Sequence, residues 1–387
     1  MAPPVRLLHT ADWHLGKRLR DFPLLEEQAA VVDQVVRLAL DLKVEVLIVA
    51  GDVFDTANPG VDALRVWADA LDALVNAGVS VFVIPGNHDQ ADRLGHMGGL
   101  LQRTGVHLRA DLARAAEPLI VGNVALYGLP FARAARVRTH FALDQQALPD
   151  GDDPGTLRHL AKHVLDAHQR ERPDLTPLLV AHAFVAGAEK EDEGEDPIAV
   201  GGSGAVPLDV FDGFEYVALG HIHGRRSFAN GRVRYSGSLY PTSFKEAGHA
   251  KSVSLVTVED GVVTVTEHQL SLPRELQVIE GLTFEELLQR ASTEDATALG
   301  HYTLARVTDV EPIENASARL RTFYPRSLLE LSTQSSGAST WGGSGDISSL
   351  DPLEVLREFI KDRTGQHPSD AQLEVIEAAL AFDLDEA

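Results

Sequence analysis

The sequence predicts an α/β protein with a large first domain, a smaller α/β domain after it and a helical pair at the C-terminal end. Three observations predict this. Over roughly the first 270 residues, short apolar runs of strand length alternate with segments of helical period. Short polar segments rich in Asp and His follow the strand candidates directly, and loops at strand carboxyl ends are where α/β folds place ligands. Near Leu272-Pro273 the pattern restarts with shorter elements.

Val5–Leu8 is a short apolar run, read as the first strand. Leu24 to Leu40 carries Leu25, Val32, Val35, Val36 and Ala39 at helical spacing. Val44–Ala50 is a buried-strand run that ends at Gly51-Asp52. Val61 to Val75 places Leu64, Trp67, Leu71 and Leu74 on one helical face, and Val79–Ile84 is a strand that stops at Pro85-Gly86. Val124–Leu129, Leu178–Val180 and Tyr216–Leu219 are further strands, and Arg232–Tyr235, Ser252–Val258 and Val262–His268 form a closing β region. The expected boundaries are residues 1–272 for the first domain and 273–332 for the second. In the second, strands at Leu276–Ile279, Tyr302–Val307 and Ser327–Leu331 alternate with helices at Thr283–Ala291 and Asn315–Phe323. A Ser/Gly-rich linker covers 333–349. Residues 350–387 open on Asp351-Pro352, a helix start, with Leu353, Leu356 and Ile360 on one face and Leu373, Ile376 and Leu380 on a second helix. Those apolar faces need a cover, either the main body or a partner protein.

Composition narrows the chemistry. The 387 residues include no cysteine, which excludes disulfides, thiolate ligands and a cysteine nucleophile. No apolar run approaches the roughly 20 residues of a membrane span. The start, Met-Ala-Pro-Pro into Val5-Arg6-Leu7-Leu8, lacks the longer apolar core of a cleavable signal. A cytoplasmic protein with no membrane association is the expectation. The net charge of −23 argues against a nucleic-acid footprint on its own. Bound divalent cations would offset it locally, and the acid is unevenly spread, with dense runs at Glu189 to Asp196 and at the C-terminal end.

Five segments carry the chemistry. They are Asp12-Trp13-His14, Gly51-Asp52-Val53-Phe54-Asp55, Gly86-Asn87-His88-Asp89, Ala181-His182-Ala183 and Gly220-His221-Ile222-His223. Singly, each reads as an ordinary turn or cap. Jointly they offer Asp12, His14, Asp52, Asn87, His182, His221 and His223, each just past a strand. Oxygen and imidazole ligands in that number suit two adjacent divalent ions that share a carboxylate, the equipment for phosphate-ester hydrolysis. Gly51, Gly86 and Gly220 are read as permitting tight strand-to-loop turns.

This order of segments resembles the signature of calcineurin-like metallophosphoesterases. More narrowly, Leu8-His9-Thr10-Ala11-Asp12-Trp13-His14-Leu15-Gly16, Gly51-Asp52-Val53-Phe54-Asp55, Val200-Gly201-Gly202-Ser203 and Tyr235-Ser236-Gly237-Ser238 resemble the SbcD-type nuclease subunits of bacterial SbcC–SbcD complexes. The resemblance covers most of the first 270 residues and extends to the rest mainly in layout. Leu239-Tyr240-Pro241-Thr242 departs from the family's Pro-containing stretch, a departure expected to alter loop shape and no ligand.

The resemblance implies a four-layer β-sandwich flanked by helices, with a smaller α/β capping domain and a C-terminal helical pair. It implies one metal held by Asp12, His14, Asp52 and His223 and a second by Asp52, Asn87, His182 and His221, with Asp52 bridging. For such hard ligands Mn²⁺ is expected, with Mg²⁺ or Zn²⁺ as alternatives. His88 would orient the phosphate or protonate the departing oxygen, with Asp89 holding its ring and Asp55 supporting the loop. Lys17, Arg18 and Arg20, and Arg225 and Arg226, flank the first and last metal loops and are candidates to grip phosphates. Trp13, Tyr240 and Phe184 are the only aromatics placed to stack on a base. The implied activity is a DNA nuclease (3′→5′ on duplex ends, endonucleolytic on single strands, hairpin-opening) that acts in DNA repair as a homodimer. An SbcC-type ATPase would dock through residues 350–385. The alternatives are a small-nucleotide phosphodiesterase or phosphatase on the same metal core, and a DNA-end scaffold whose metals only shape the site.

Overall fold

The computed structural model describes residues 3–188 and 204–331, with scattered positions between 353 and 373. The linker 333–349, most of the C-terminal helices, the run Glu189 to Asp196 and the Val200-Gly201-Gly202-Ser203 segment lie outside the described residues. Leu353, Leu356 and Ile360, expected on one helical face, are helical. The chain forms two compact units, Met1–Gln277 and a second that begins at Val278.

Two six-stranded sheets build the first unit. One runs, edge to edge, through Val262–Gln269, Ser252–Glu259, Val5–Thr10, Val46–Ala50, Ser80–Ile84 and Val106–Leu108. The other runs through Arg226–Phe228, Val233–Tyr235, Tyr216–Gly220, Thr176–His182, Val124–Gly128 and Leu119–Val121. Within each sheet four consecutive strands are parallel, so their carboxyl ends point the same way.

The sheets pack face to face. Leu7, Ile48, Phe82 and Ile84 of the first meet Leu126, Leu178, Val180 and Ala218 of the second in one buried core. Alternate residues on the second sheet, Tyr127, Leu179, Ala181 and Leu219, turn the other way onto Leu160, Ala161 and Val164 of the helix Asp153–Glu171. Coverage on both faces explains why these strands read as continuous apolar runs without alternation. Helices Leu25–Asp41 and Val61–Asn76 contact each other, and the second contacts the strand Ser80–Ile84 that follows it.

The helix Asp153–Glu171 was not among the expected elements. It starts on an Asp152 cap with Pro in the first turn, but it buries only one narrow stripe. The first strand also runs two residues past its apolar run, through His9 and Thr10. Both side chains are fully buried and hydrogen-bonded: Thr10 Oγ1 donates to the Ile48 carbonyl at 2.7 Å, and His9 Nδ1 meets the Tyr216 hydroxyl at 2.9 Å. Polar residues can continue a core strand when each finds a buried partner.

The strand Leu276–Leu282, which spans the division at Val278, and the strands Tyr302–Val307 and Ser327–Leu331 make a three-stranded sheet. Ile279, Phe284, Leu287, Leu320 and Tyr324 fill its core. Thr283 and Glu286 form a reciprocal capping box at the start of helix Phe284–Ala291.

Candidate metal centre

The loops that leave the parallel strands are held against one another by backbone hydrogen bonds. The Asp12 amide donates to the Gly51 carbonyl at 3.1 Å, the His14 amide to Asp52 at 3.0 Å and the Leu15 amide to Val53 at 3.0 Å. The two loops therefore hold each other in register. This lattice sustains unusual backbone: Asp12, His14, Asp52 and His221 have φ of 53°, 44°, 50° and 104°. Such conformations cost L-residues about 1–2 kcal/mol each and cluster at functional sites.

The glycines serve space more than turning. Of Gly51, Gly86 and Gly220 only Gly51 has a positive φ, +90°, and a Cβ there would stand 2.3 Å from His182 Nδ1. A Cβ on Gly86 would lie 2.1 Å from Asp52 Oδ1, and one on Gly220 1.9 Å from the Ala50 carbonyl oxygen. Gly86 and Gly220 are thus required by close approach of neighbouring loops, which corrects their reading as turn formers.

All seven candidate ligands converge. Asp12, His14 and His223 form one group and Asp12, Asp52 and His182 another, each with ligand atoms within 4.8 Å of one another. Asn87 Oδ1 joins the remainder, 2.9 Å from His182 Nε2 and 3.2 Å from His221 Nδ1. The Asp12 carboxylate also accepts the His221 amide at 2.9 Å. Asp52 sits between the groups, its Oδ2 3.2 Å from His182 Nε2 and 3.7 Å from His14 Nε2, while its Oδ1 accepts the His88 amide at 2.9 Å.

The tautomers fit a cation. His182 Nδ1 faces the Ala50 carbonyl at 2.9 Å and can only donate to it, which leaves the Nε2 lone pair aimed at two oxygens. His223 Nδ1 faces the Glu246 carboxylate at 3.1 Å, which turns its Nε2 toward His14 Nε2, 3.1 Å away. Lone pairs converging in this way need a proton or a metal between them. The electrostatics agree. Burial pushes His182 down, yet Asp52, Asp12 and the Ala50 carbonyl lift it to about 9. Burial pushes Asp52 up, but His182, His14 and His88 hold it far below the usual carboxylate range. Asp12 is raised, burial outweighing the nearby histidines.

His88 packs edge-on against His14, ring centroids 4.8 Å apart, and its Nδ1 meets the Asp55 carbonyl oxygen at 2.9 Å. Asp89 was expected to hold that ring. Its carboxylate instead accepts the amides of Val53, Phe54 and Gly86 at 3.1, 3.1 and 3.0 Å, tying the second loop to the third. Burial and Asp52 raise Asp89 to about 6 against the pull of those amides.

The candidate substrate contacts are less uniform. Lys17 Nζ pairs with Asp55 Oδ1 at 2.9 Å, and Asp55 lies 3.6 Å from His14 Nδ1, so Lys17 is beside the site but already matched. Arg225 pairs with Glu267 at 2.8 Å. Arg18 is exposed and donates to the Asp21 carbonyl at 2.6 Å, Arg20 is exposed in the same hairpin, and Arg226 is half-buried. Of the candidate stacking rings, Trp13 and Tyr240 are buried. Phe184 is half-buried, lies 6.4 Å from the His221 ring and lines a recess of about 50 Å³ with Phe131, His182 and His221.

Glu246, Lys251 and Thr242 were missed by sequence reasoning. Glu246 is fully buried, and Lys251 Nζ lies 2.5 Å from its Oε2. Thr242 Oγ1 stands 3.0 Å from His223 Nδ1. The unusual Leu239–Thr242 segment therefore does touch a ligand's ring, contrary to expectation. The only sequence signal was that departure itself.

Comparison with known proteins bears on the fold and the chemistry. The model of the calcineurin-like phosphoesterase family matches residues 5–225, more than half of the chain. A second model, SbcD_C, described as the Type 5 capsule protein repressor C-terminal domain, matches residues 272–364. Among solved structures, the protein TT1561 of Thermus thermophilus is 14% identical with a TM-score of 0.41, over 68% of this chain and 99% of that one. A dimetal phosphatase from Danio rerio is 16% identical with a TM-score of 0.41, over 70% of this chain and all of that one. With candidate metal-binding histidines and aspartates gathered at the strand ends and a family match over the same residues, the chain belongs to the calcineurin-like phosphoesterases.

Proposed function

We propose that this phosphoesterase is a DNA nuclease subunit of the SbcD type, which hydrolyses phosphodiesters with two divalent ions, Mn²⁺ first among them. The observation that carries the reading is the pairing of two features in one chain: a convergent donor set in residues 5–225 and an SbcD_C match over 272–364. One ion would be held by Asp12, His14, Asp52 and His223, the other by Asp52, Asn87, His182 and His221. When bound, such ions supply Lewis acidity toward the phosphate oxygens. His88 then has a defined task. With Nδ1–H donated to the Asp55 carbonyl, its Nε2 is the atom that orients the phosphate or carries a proton to the departing oxygen. Asp89 acts behind it by locking the loops.

The reading extends to 3′→5′ duplex exonuclease, single-strand endonuclease and hairpin-opening activity in DNA repair, in the cytoplasm and as a homodimer. An SbcC-type ATPase engages residues 350–385. That partner supplies much of the grip on DNA, which reconciles a net charge of −23 with a DNA substrate. Lys17, Arg18, Arg20, Arg225 and Arg226 are the candidates for local phosphate contact, Lys17 and Arg225 beside the carboxylates of Asp55 and Glu267.

The test is to incubate the purified protein with Mn²⁺, a DNA hairpin and a chromogenic phosphodiester. Cleavage of the hairpin is expected. Turnover of the chromogenic ester alone would instead identify a small-nucleotide phosphodiesterase, and cleavage of neither a DNA-end scaffold.

A further inference from the structure

We propose that the buried Glu246–Lys251 pair is a positioning device for His223, presenting its Nε2 to one of the two metal sites. The inference rests on the two-metal reading above and names residues that reading does not use.

His223 leaves the strand Tyr216–Gly220 by a three-residue loop and is 3% exposed. A histidine ring at the end of such a loop has two ligating nitrogens, and nothing in its own backbone selects between them. The pocket behind it does. Glu246 Oε1 lies 3.1 Å from Nδ1, and the same oxygen accepts the Thr242 hydroxyl at 2.7 Å and the Thr242 amide at 3.0 Å. Oε2 is held from the other side by Ser238 Oγ at 3.2 Å and Lys251 Nζ at 2.5 Å. Lys251 Nζ also donates to Ser238 Oγ at 2.8 Å and to the His223 carbonyl at 3.1 Å, so the ammonium grips both the carboxylate and the backbone that carries the ring.

A purely structural role is a poor explanation for this arrangement. A buried ion pair is weak evidence of stability, because desolvation offsets the attraction and apolar residues often do as well. What apolar residues cannot do is accept the Nδ1 proton and thereby fix the tautomer that leaves Nε2 for a metal. The contrast with His14 supports this. Behind that ring stands a similar pair, Asp55 with Lys17, but the carboxylate is 3.6 Å from Nδ1, which has no hydrogen-bond partner among the described residues. The carboxylate behind His223 is thus within hydrogen-bond distance of Nδ1, and the one behind His14 is not.

The effect should be confined to the ion shared by Asp12, His14, Asp52 and His223. The test is calorimetric titration of the full chain with Mn²⁺, with ion content measured independently. The double variant Glu246→Met/Lys251→Met removes both charges together and strands neither. It is expected to bind one ion as the wild type does and the other about 10–100-fold more weakly. Thr242→Val, a change the pocket tolerates more easily, should weaken the same ion by less and carries the test if the double variant does not fold. Two ions bound with wild-type affinities in every variant that folds, or both ions weakened equally, would overturn the proposal. A wild-type protein that takes up no Mn²⁺ would overturn the two-metal reading itself, a result seen without any variant.

Discussion

The two sheets contribute unlike halves to the centre. Loops from the first carry Asp12, His14, Asp52, Asn87 and His88; loops from the second carry His182, His221 and His223. The first half holds the carboxylates and three of the four positive-φ candidate ligands. The second is all imidazole. Neither is stable chemistry alone. Buried Asp12 and Asp52 need positive charge, and His182 and His223 stand against them; His182, pushed down by burial, is lifted by the carboxylates to about 9. The site is a property of the docking between sheets, and the donor set is balanced for a cation that would take the place of those protons.

The largest effect is expected where the halves meet. Asp52→Asn removes the charge shared by His182, His14 and the His88 amide. It should abolish stoichiometric Mn²⁺ uptake and lower turnover by about 10²-fold or more, since even partners behind a ligand cost 10–100-fold. Near-normal metal content in this variant would dissolve the idea of a shared carboxylate.

His88→Gln should separate the two functions of the first half. Metal content stays at the wild-type value while single-turnover cleavage falls by about 10²-fold. Loss of both ions would mean that His88 belongs with the ligands, in line with its place in a group with His14 and Asp55.

Gly220→Ala attacks the contact between halves without touching a donor. Its Cβ would meet the Ala50 carbonyl oxygen at 1.9 Å, backbone that cannot swing aside. A loss of about 1–3 kcal/mol in thermal or denaturant unfolding is expected, with weaker metal binding. Gly60→Ala, with nothing within 4 Å of the new methyl, is the control.

The last effect is on stability alone and concerns His9, which joins the sheets through the Tyr216 hydroxyl and, at 3.2 Å, the Leu219 carbonyl. Burial lowers it to about 3 from an ordinary 6.5. The unfolded chain therefore takes up a proton below pH 6.5 that the folded chain refuses until about 3. The stability this contributes is present above pH 6.5 and lost as pH falls toward 3. His107, lowered to about 4 mainly by burial, acts in the same sense. His9→Gln should flatten the fall in Tm between pH 7 and 4; an unchanged slope would show that His9 is not the sensor.

Much of this was legible in the chain. Strands such as Val46–Ala50 and Ser80–Ile84 announce themselves because burial on both faces demands unbroken apolar runs. The candidate ligands announce themselves because Asp, Asn and His after a strand, five times over, have few other uses. The helix Asp153–Glu171 did not, since its narrow buried stripe is a weak periodic signal. Nor did the task of Asp89, because a carboxylate that accepts amides from two loops looks the same in sequence as one that holds a histidine.

Residue order was thus enough to specify which side chains are available, which family they belong to and at which strand ends they emerge. Their orientation was settled elsewhere. That Lys17 is matched by Asp55, that Gly220 must clear Ala50 and that Glu246 stands behind His223 depend on groups 23 to 170 positions apart. Hydrogen bonds and close contacts act over a few ångströms of space, and only the pairing of strands within a sheet and the packing of one sheet on the other bring such positions within that reach.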